Sequence, residues 1–239
     1  MLLEQGAFTG FAAQAGAYIW DSEESASQSI FTGGGLVDSL IKQSWERFKF
    51  GGRPAAQQTA IFVSLKELPD NKFGTQSEIY WDDSFLNTQV GAITRGTYTL
   101  KITDPLTFLR NFVPAAVLGG GSVFDFTDMD NPAGQQLFNE VVSSLAPAFS
   151  IYTNDPAKGG RITKLQQDSL GFAQALSEAV EAGYQWKSDR GLEIVKTAIV
   201  SIEYDANTRE LLKNVQRADA LSGSRGNSNL QASVAAGME

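Results

Sequence analysis

Two long segments of this chain alternate apolar with polar residues, and a helical period governs much of the chain between them. Residues 89 to 103 form the first segment, in which Tyr98, Leu100 and Ile102 fall on one face of a strand. Residues 192 to 204 form the second. A side-chain period of two suits a pleated strand and not a helix, so both segments predict strands. The positions expected to share the apolar face of the second strand, with Lys196 as the polar exception, are Leu192, Ile194, Lys196, Ala198, Val200, Ile202 and Tyr204.

Apolar residues at helical spacing predict several helices. One is expected from Leu36 to Phe48 and another from Leu165 to Trp186. Asp104, which precedes a proline, is expected to cap a short helix, and Asp205 is expected to cap the final one. A further helix, kinked at Pro147, is predicted from the stripe formed by Leu137, Val141, Leu145 and Phe149.

Shorter strands and turns are expected in the first third of the chain. Residues 2 to 20, punctuated by glycines, predict two short strands, and a polar, Gly-rich loop follows over residues 21 to 35. Alternation from Thr59 to Leu65 predicts another strand. The polar segment PDNKFGT, residues 69 to 75, is expected to form a turn that leads into the strand SEIYWDD.

The order of these elements defines the expected fold class. Strands come first, then helices, then one strand and one helix, which is typical of the α+β class. We therefore expect a mixed, mainly antiparallel sheet with helices packed on it and a helical C-terminal part. After Asp219 the composition turns to Ser, Gly, Asn and Ala. This change predicts one domain over residues 2–219 and a flexible tail or linker over residues 220–239.

The chain contains no histidine and no cysteine among its 239 residues. This absence excludes Ser-His-Asp and Cys-His catalysis, and it excludes zinc fingers, iron–sulfur clusters and disulfides. Nothing in the cysteine usage points to an oxidising compartment. Carboxylate catalysis, lysine chemistry and Mg²⁺ sites stay open.

The formal net charge is −8, from 27 acidic and 19 basic residues. A nucleic-acid-binding protein usually carries a basic stripe. The longest basic cluster here, between Lys42 and Arg53, is interleaved with Glu46 and is expected to be a solvated helix face. We therefore expect no nucleic-acid partner, and the acidity also opposes attachment to anionic lipid. The apolar runs are too short to span a bilayer, and the N-terminus lacks the basic residues of a signal peptide.

Two groups of acidic residues are candidate sites. Asp82 and Asp83 could act as paired catalytic carboxylates, but no second functional group lies at a defined spacing, so a turn role is favoured. Asp125, Asp128 and Asp130 resemble a calcium loop at first sight. An EF-hand requires Gly at its sixth position and Glu at its twelfth, whereas this segment has Asp and Gln there. An acidic loop is therefore favoured.

Glycine runs and tryptophans complete the candidates. Gly33 to Gly35 could cradle a phosphate, but no Walker lysine follows, so a flexible helix entry is favoured. Gly119 to Gly121 lacks a strand-to-helix context. The residues expected in a core or interface rather than in a ligand site are Trp20, Trp45, Trp81 and Trp186. No catalytic, cofactor-binding or metal-binding residue is assigned, and we expect neither a cofactor nor enzymatic activity.

Four stretches resemble the SPFH (stomatin/prohibitin/flotillin), or band 7, domain family. LLEQGAFTGFAAQAGAYIWD resembles its opening hairpin, and GTYTLKITDPLTFLRNF resembles its strand that runs into an Asp-Pro helix start. GLEIVKTAIVSIEYDANTRELLKNVQRAD is similar to its closing strand and helix. KELPDNKFGTQSEIYWDD resembles a segment of a bacterial branch labelled virion-core-protein-like. Together the stretches span most of residues 2 to 219, and DNKFGT followed by KITDP is their most specific part.

The resemblance implies a non-enzymatic scaffold domain. Such a domain self-assembles into homo-oligomers and recruits partner proteins at a membrane surface. The resemblance also implies a cytoplasmic location, peripheral to the inner face of the cell membrane, with the contact either direct or through partners. Members of this branch often continue into a Cys-rich zinc ribbon, and this sequence has no cysteine. A shortened member of the family would account for that difference.

Two alternatives from other classes stay open. One is a soluble module that binds a peptide or a partner protein by adding a strand to an exposed sheet edge. The other is a carboxylate-based hydrolase that requires a divalent metal. Light scattering distinguishes the scaffold from the module, because a scaffold forms large assemblies. Metal-dependent thermal stabilisation would indicate the hydrolase.

Overall fold

The computed structural model describes residues 2–4, 7–12, 58–119, 123–157 and 161–222. The chain divides into two compact units, Met1–Leu65 with Asp104–Phe124, and Lys66–Thr103 with Asp125–Glu239. The single domain expected over residues 2–219 stays a prediction. The loop expected at residues 21–35 and the helix expected from Leu36 to Phe48 lie outside the described residues.

Among its described residues, the first unit contains three short strands and two short helices. The strands are β1 (Leu2–Glu4), β2 (Ala7–Gly10) and β3 (Gln58–Ala60), which pair antiparallel in the order β2-β1-β3. The helices are α1 (Pro105–Asn111) and α2 (Ala115–Leu118). Two short strands are confirmed at the start of the chain, but the expected extension of the second is wrong at residues 11 and 12, which have no regular structure; residues 13–20 lie outside the described residues. The strand predicted from Thr59 to Leu65 is wrong beyond Ala60, because residues 61–65 have no regular structure.

The start of α1 is the one that the sequence predicts. The Asp104 carboxylate accepts hydrogen bonds from the backbone N–H of Leu106 at 3.0 Å and of Thr107 at 3.1 Å. These bonds satisfy two of the N–H groups that a helix start leaves without an intrahelical partner. Pro105 occupies the first helical position, where its missing N–H has no consequence. The short helix predicted in this segment is therefore confirmed.

The second unit contains an antiparallel sheet and four α-helices among its described residues. Its strands are β4 (Leu68–Gly74), β5 (Ile79–Asp83), β6 (Thr88–Ile102) and β7 (Leu192–Tyr204). Its helices are α3 (Pro132–Asn154), α4 (Ser169–Tyr184), α5 (Trp186–Arg190) and α6 (Ala206–Ser222). The predicted α+β class and mainly antiparallel pairing are confirmed. The described strands form two sheets, where one was expected.

β6 is the central strand of the four-stranded sheet. β5 and β4 lie end to end along one edge of β6, where they pair with residues 88–92 and 95–100 respectively. β7 pairs along the opposite edge, with residues 92–102. The helices α3 and α4 contact each other, α3 also contacts β5 and β4, and α4 also contacts β7. The residues of β6 that are buried are Val90, Gly91, Ala92, Thr94, Gly96, Tyr98, Leu100 and Ile102.

The segment PDNKFGT is mostly strand and not the predicted turn. The part of the segment that deviates from a regular strand is its beginning, where Asp70 has a φ of 64° and the pairing register with β6 shifts between Leu68 and Asn71. The side-chain amide of Asn71 holds this irregular start by donating to the carbonyl groups of Leu68 at 2.7 Å and Tyr98 at 3.2 Å. Beyond it the strand is polar because Phe73, with 3% of its surface exposed, is the only fully buried residue of β4.

β7 is confirmed as a strand, but its predicted apolar face is wrong in the middle. Its pairing with β6 skips one residue at Val195 and another at Val200, so each forms a bulge. After the first bulge Thr197 is buried and Ala198 is exposed, which reverses the simple alternation. Because of the first bulge, Lys196 lies opposite Thr99 on the other face of the strand, which explains the polar exception in the predicted apolar face.

The long helix α3 carries the predicted buried stripe. Leu137, Val141, Leu145 and Phe149 are each no more than 2% exposed, and Pro147 lies inside the helix. The helix predicted from Leu165 to Trp186 is shorter than expected. It begins at Ser169, where the Asp168 carboxylate accepts from the Gly171 N–H at 2.8 Å, and it ends before Gln185, whose φ is 51°.

The last described helix, α6, begins as predicted. The Asp205 carboxylate accepts a hydrogen bond from the Thr208 N–H at 2.7 Å, which confirms Asp205 as the cap. The helix continues to Ser222 and so passes the predicted start of the tail at residue 220. Residues 223–239 lie outside the described residues.

Candidate interaction surface

The two candidate carboxylates of β5 point away from each other. Asp82 is exposed, whereas Asp83 is 2% exposed and accepts a hydrogen bond from the Leu86 N–H at 2.8 Å. Consecutive residues of a strand point to opposite faces. The structure therefore does not bring these side chains together as a catalytic pair, and the bond from Leu86 fits the favoured turn role of Asp83.

The acidic loop before α3 uses its carboxylates to shape its own turns. One Asp125 oxygen accepts from the backbone N–H of Thr127 at 3.0 Å and from its hydroxyl group at 2.6 Å. The bond from this hydroxyl group lowers the pKa of Asp125. Asp128 accepts in the same way from the N–H of Asp130 at 3.0 Å. Within the part of the chain that the structure describes, no three His, Cys, Asp or Glu side chains are grouped so as to hold a metal ion.

Most of the other sequence candidates cannot be compared with the structure. Those outside the described residues are Gly33, Gly34, Gly35, Gly120, Gly121, Trp20 and Trp45. Gly119 is described, and it ends α2. Trp81 and Trp186 are 4% and 0% exposed, which confirms the core position expected for both.

Trp186 belongs to a buried polar network centred on Glu140. The Glu140 carboxylate accepts hydrogen bonds from the Trp186 indole at 2.6 Å, from the Arg190 guanidinium at 2.6 and 3.0 Å, and from the Gln136 amide at 2.9 Å. Burial opposes ionisation of Glu140, but these hydrogen bonds outweigh it and lower the pKa of Glu140 below its usual 4.5. The network joins α3 to α5. A buried carboxylate whose hydrogen bonds are satisfied in this way is expected to stabilise the fold.

Three buried polar atoms lie near the contact between β5 and α3 without a protein partner among the described residues. They are the indole nitrogen of Trp81, one carboxylate oxygen of Asp83 and the hydroxyl group of Thr153. Trp81 stacks on Phe149 of α3 with 4.7 Å between ring centroids, and Thr153 follows Phe149 by one helical turn. Asn154 anchors the same contact by donating to the Asp82 carbonyl group at 2.8 Å.

The outer edge of β7 is a candidate site for association. Among the described strands β7 pairs with β6 alone, so its other edge offers backbone N–H and C=O groups for pairing. Val200 is 73% exposed on this strand. The bulges at Val195 and Val200 divide the strand into short regular stretches, residues 192–194, 196–199 and 201–204. Bulges of this kind limit unspecific edge pairing, so a partner strand would gain only a short ladder.

The helix α6 adds a second exposed element beside β7 in sequence. Of its residues 206–220, Thr208 alone is buried. Leu211 is 37% exposed, and Leu212 and Val215 are half-buried. A mostly polar helix with a few apolar side chains suits a contact with another helix or subunit.

The sequence could not identify these elements as a surface. Alternation predicts a strand but does not specify its neighbours, so the edge position of β7 is a property of the tertiary fold. The feature of the sequence that indicated an irregular strand was the interruption of the apolar alternation at Lys196.

Comparisons with known proteins add no family assignment. Neither a protein-family model nor a curated protein sequence matches this chain. None of the helices in the described part of the chain is both long enough and apolar enough to cross a membrane.

Proposed function

We propose that this chain is a non-enzymatic scaffold domain of the SPFH type that self-assembles and recruits partner proteins at a membrane surface. The observation that carries the proposal is the outer edge of β7, together with the exposed helix α6 that follows it. A long strand at a sheet edge favours association with another chain. The SPFH assignment itself rests on the four sequence stretches that resemble that family.

Sedimentation velocity of the full chain over a range of concentrations tests self-assembly. We expect species much larger than the 25.8 kDa monomer, with a distribution that shifts to larger size as the concentration rises. A single species at the monomer mass throughout the range would contradict the proposal.

The Val200→Asp variant tests whether the β7 edge takes part. A charge at this exposed position should weaken edge pairing, because the partner strand would have to desolvate it. Leu170→Asp is the matched control, since Leu170 is also an exposed apolar residue, at 60%, but lies at the start of α4. We expect smaller assemblies with Val200→Asp and unchanged assemblies with Leu170→Asp. Equal behaviour of the two variants would remove the β7 edge from the proposal.

The alternative function, a soluble module that binds a peptide by strand addition, uses the same edge. The two bulges of β7 leave no uninterrupted stretch longer than that of residues 196–199 or 201–204, so either function would use only a short ladder of backbone hydrogen bonds. A module of this kind would stay monomeric and would bind extended peptides with loss of that binding on Val200→Asp. The sedimentation experiment therefore separates the two functions.

A further inference from the structure

The sheet of the second unit has one face that carries opposite charges at its two ends. On β6 the side chains of Val90, Ala92 and the following even-numbered residues are buried on the helix side, so the odd-numbered residues point to the other face. The pairing register assigns residues of the other strands to this same face. Lys72 lies opposite Thr97, and Lys196 lies opposite Thr99.

One end of this face is basic. The basic half consists of Lys72, Arg95, Lys101 and Lys196, of which Lys101 is half-buried and the other three are exposed. Three acidic residues accompany it. Glu67 forms an ion pair with Lys196 at 2.8 Å, Glu193 lies opposite Lys101 in the register, and Asp70 lies in the bulge of β4 opposite Thr99. Four positive and three negative charges leave this half with a net charge of +1, although the chain as a whole carries −8.

The other end of the face is acidic. The acidic half consists of Glu78, Asp82, Glu203 and Asp205, of which Asp205 is half-buried and the others are exposed. Tyr80 donates its hydroxyl proton to Glu78. The Asp205 carboxylate lies over Gly91, where a Cβ atom would be only 2.3 Å from it.

One basic residue lies beside the acidic half. Arg209 lines an open groove of about 350 Å³ together with Glu78, Ile93, Ile202, Glu203 and Tyr204. Four negative charges and the positive charge of Arg209 give this half a net charge of −3.

We propose that this face packs against the same face of a second copy of the chain, so that each basic half meets the acidic half of its partner. This inference rests on the proposed self-assembly and specifies one of its contacts. The two copies would be related by a two-fold axis that is perpendicular to β6 and crosses this strand between Ile93 and Arg95. The β6 strands of the two copies would then run in opposite directions, so a basic half would meet an acidic half in two symmetric places. Charge complementarity between the two halves favours a second copy of the chain as the binding partner of this face.

A uniformly anionic partner fits the face less well. Nucleic acid or an anionic lipid surface would attract the basic half and repel the acidic half of the same face. A second copy satisfies both halves at once.

The size of the face predicts a weak contact that depends on salt. β6 spans about 40 Å between Gln89 and Lys101 at about 3.3 Å per residue, and the paired strands add about 5 Å each in width. Two copies would therefore bury on the order of 1,000 Å², which is at the lower end of specific interfaces. Much of the surface is charged or carries threonine, so raised salt should weaken it.

Two charge-reversal variants test the contact. The first is Lys72→Glu with Arg95→Glu, and the second is Asp82→Lys with Glu203→Lys. All four positions are exposed, and none belongs to the Lys196–Glu67 ion pair. In each variant like charges would meet across the two-fold axis, so we expect self-association at 0.15 M NaCl to weaken about tenfold or more. An equimolar mixture should recover wild-type association, because the acidic face of one variant would meet the basic face of the other.

The outcomes distinguish this inference from the proposed function. A wild-type chain that is monomeric by sedimentation equilibrium would overturn both. Wild-type assemblies that persist in both variants, or that grow stronger between 0.05 and 0.5 M NaCl, would overturn the face-to-face contact alone. Circular dichroism of each variant controls for folding, and the salt series needs no variant at all.

Discussion

Glu140 is the residue whose ionisation should matter most for stability. It lies 7% exposed in α3, and its carboxylate receives the hydrogen bonds of Arg190, Trp186 and Gln136. A buried carboxylate is stable in its ionised form when its hydrogen-bond partners are present. Removing one member of a buried ion pair leaves the charge of the other member uncompensated. The network therefore makes stability sensitive both to substitution and to acid.

We predict that Glu140→Gln lowers the free energy of unfolding at pH 7 by about 3 kcal/mol. The folded-state pKa of Glu140 is depressed below its usual 4.5, so its contribution is fully present above that unfolded-state value and is lost as pH falls through the folded-state pKa. The difference between wild type and variant should therefore shrink when urea titrations are repeated below pH 4.

A surface ion pair provides the control for this experiment. Glu67 pairs with Lys196 at 2.8 Å, but the two side chains are 47% and 61% exposed. Because both side chains are largely in solvent, Glu67→Gln should change the free energy of unfolding much less than Glu140→Gln does. A loss of the same size in both variants would contradict the importance given to the buried network.

Thr153 allows a second prediction at the level of single residues. Its hydroxyl group is buried without a protein partner among the described residues, and valine has nearly the same shape. Removing an unsatisfied buried group should be favourable, so we predict that Thr153→Val raises the free energy of unfolding by about 1 kcal/mol.

Thr197→Val is the matched control for Thr153→Val. Thr197 is also buried, but its hydroxyl group donates to the Ser169 carbonyl group at 2.8 Å. This substitution should lower the free energy of unfolding by about 1 to 2 kcal/mol. If thermal denaturation showed both variants to be destabilised, the Thr153 hydroxyl group would have to bind something in the native protein.

At the level of elements, the sheet depends on a glycine at the centre of β6. A Cβ atom at Gly96 would lie 2.3 Å from the Ala198 carbonyl oxygen and 2.6 Å from the Phe73 ring. We predict that Gly96→Ala lowers the free energy of unfolding by about 1 to 3 kcal/mol, because β4 or β7 must shift to admit the methyl group. Chemical denaturation with an unchanged slope would report this loss.

Gly183 in α4 is the control for Gly96. Nothing lies within 4 Å of the position of its Cβ atom, so alanine meets no neighbour there. Gly183→Ala should raise the free energy of unfolding by about 0.5 to 1 kcal/mol through helix propensity. Opposite signs for the two glycines are the expected result, and a stabilising Gly96→Ala would show that the packing around β6 is loose.

Local signals predicted the elements well where they were sufficient. Asp104 and Asp205 cap helices as expected, and the alternation of β6 predicts its buried face correctly. The errors arise where tertiary pairing decides. The strand β4 is held by backbone bonds to β6 in spite of its polar sequence, and the bulges of β7 depend on its register with β6.

The candidate surface was less predictable than the elements that form it. The charges of β6 and β7 can be read from the sequence, but the division into a basic and an acidic half exists only once Lys72, Arg95 and Lys196 are brought to one end of a face. The same pairing separates Asp82 from Asp83. The sequence thus supplied the residue types, and the pairing of the strands determined which of them act together.

At the level of the whole molecule, membrane contact has to be reconciled with an acidic chain. The basic half is a cationic feature of the described surface, and each Lys or Arg near an anionic surface contributes about 1 kcal/mol. Glu67 and Glu193 offset part of this attraction, and the acidic half lies on the same face. Exposed charges are screened beyond about 8 Å at physiological ionic strength. A membrane role would therefore depend on partners or on assembly.

We predict that the full chain does not co-sediment with anionic liposomes at physiological salt. At about 0.01 M salt, where screening extends over about 30 Å, weak binding through the basic half is expected. Lys72→Glu with Arg95→Glu should abolish that low-salt binding, whereas Asp82→Lys with Glu203→Lys should strengthen it. Neutral liposomes control for apolar insertion, and binding to them would point to exposed apolar residues such as Val200. Co-sedimentation with anionic liposomes at physiological salt that survives the first variant would show a direct membrane contact elsewhere in the chain.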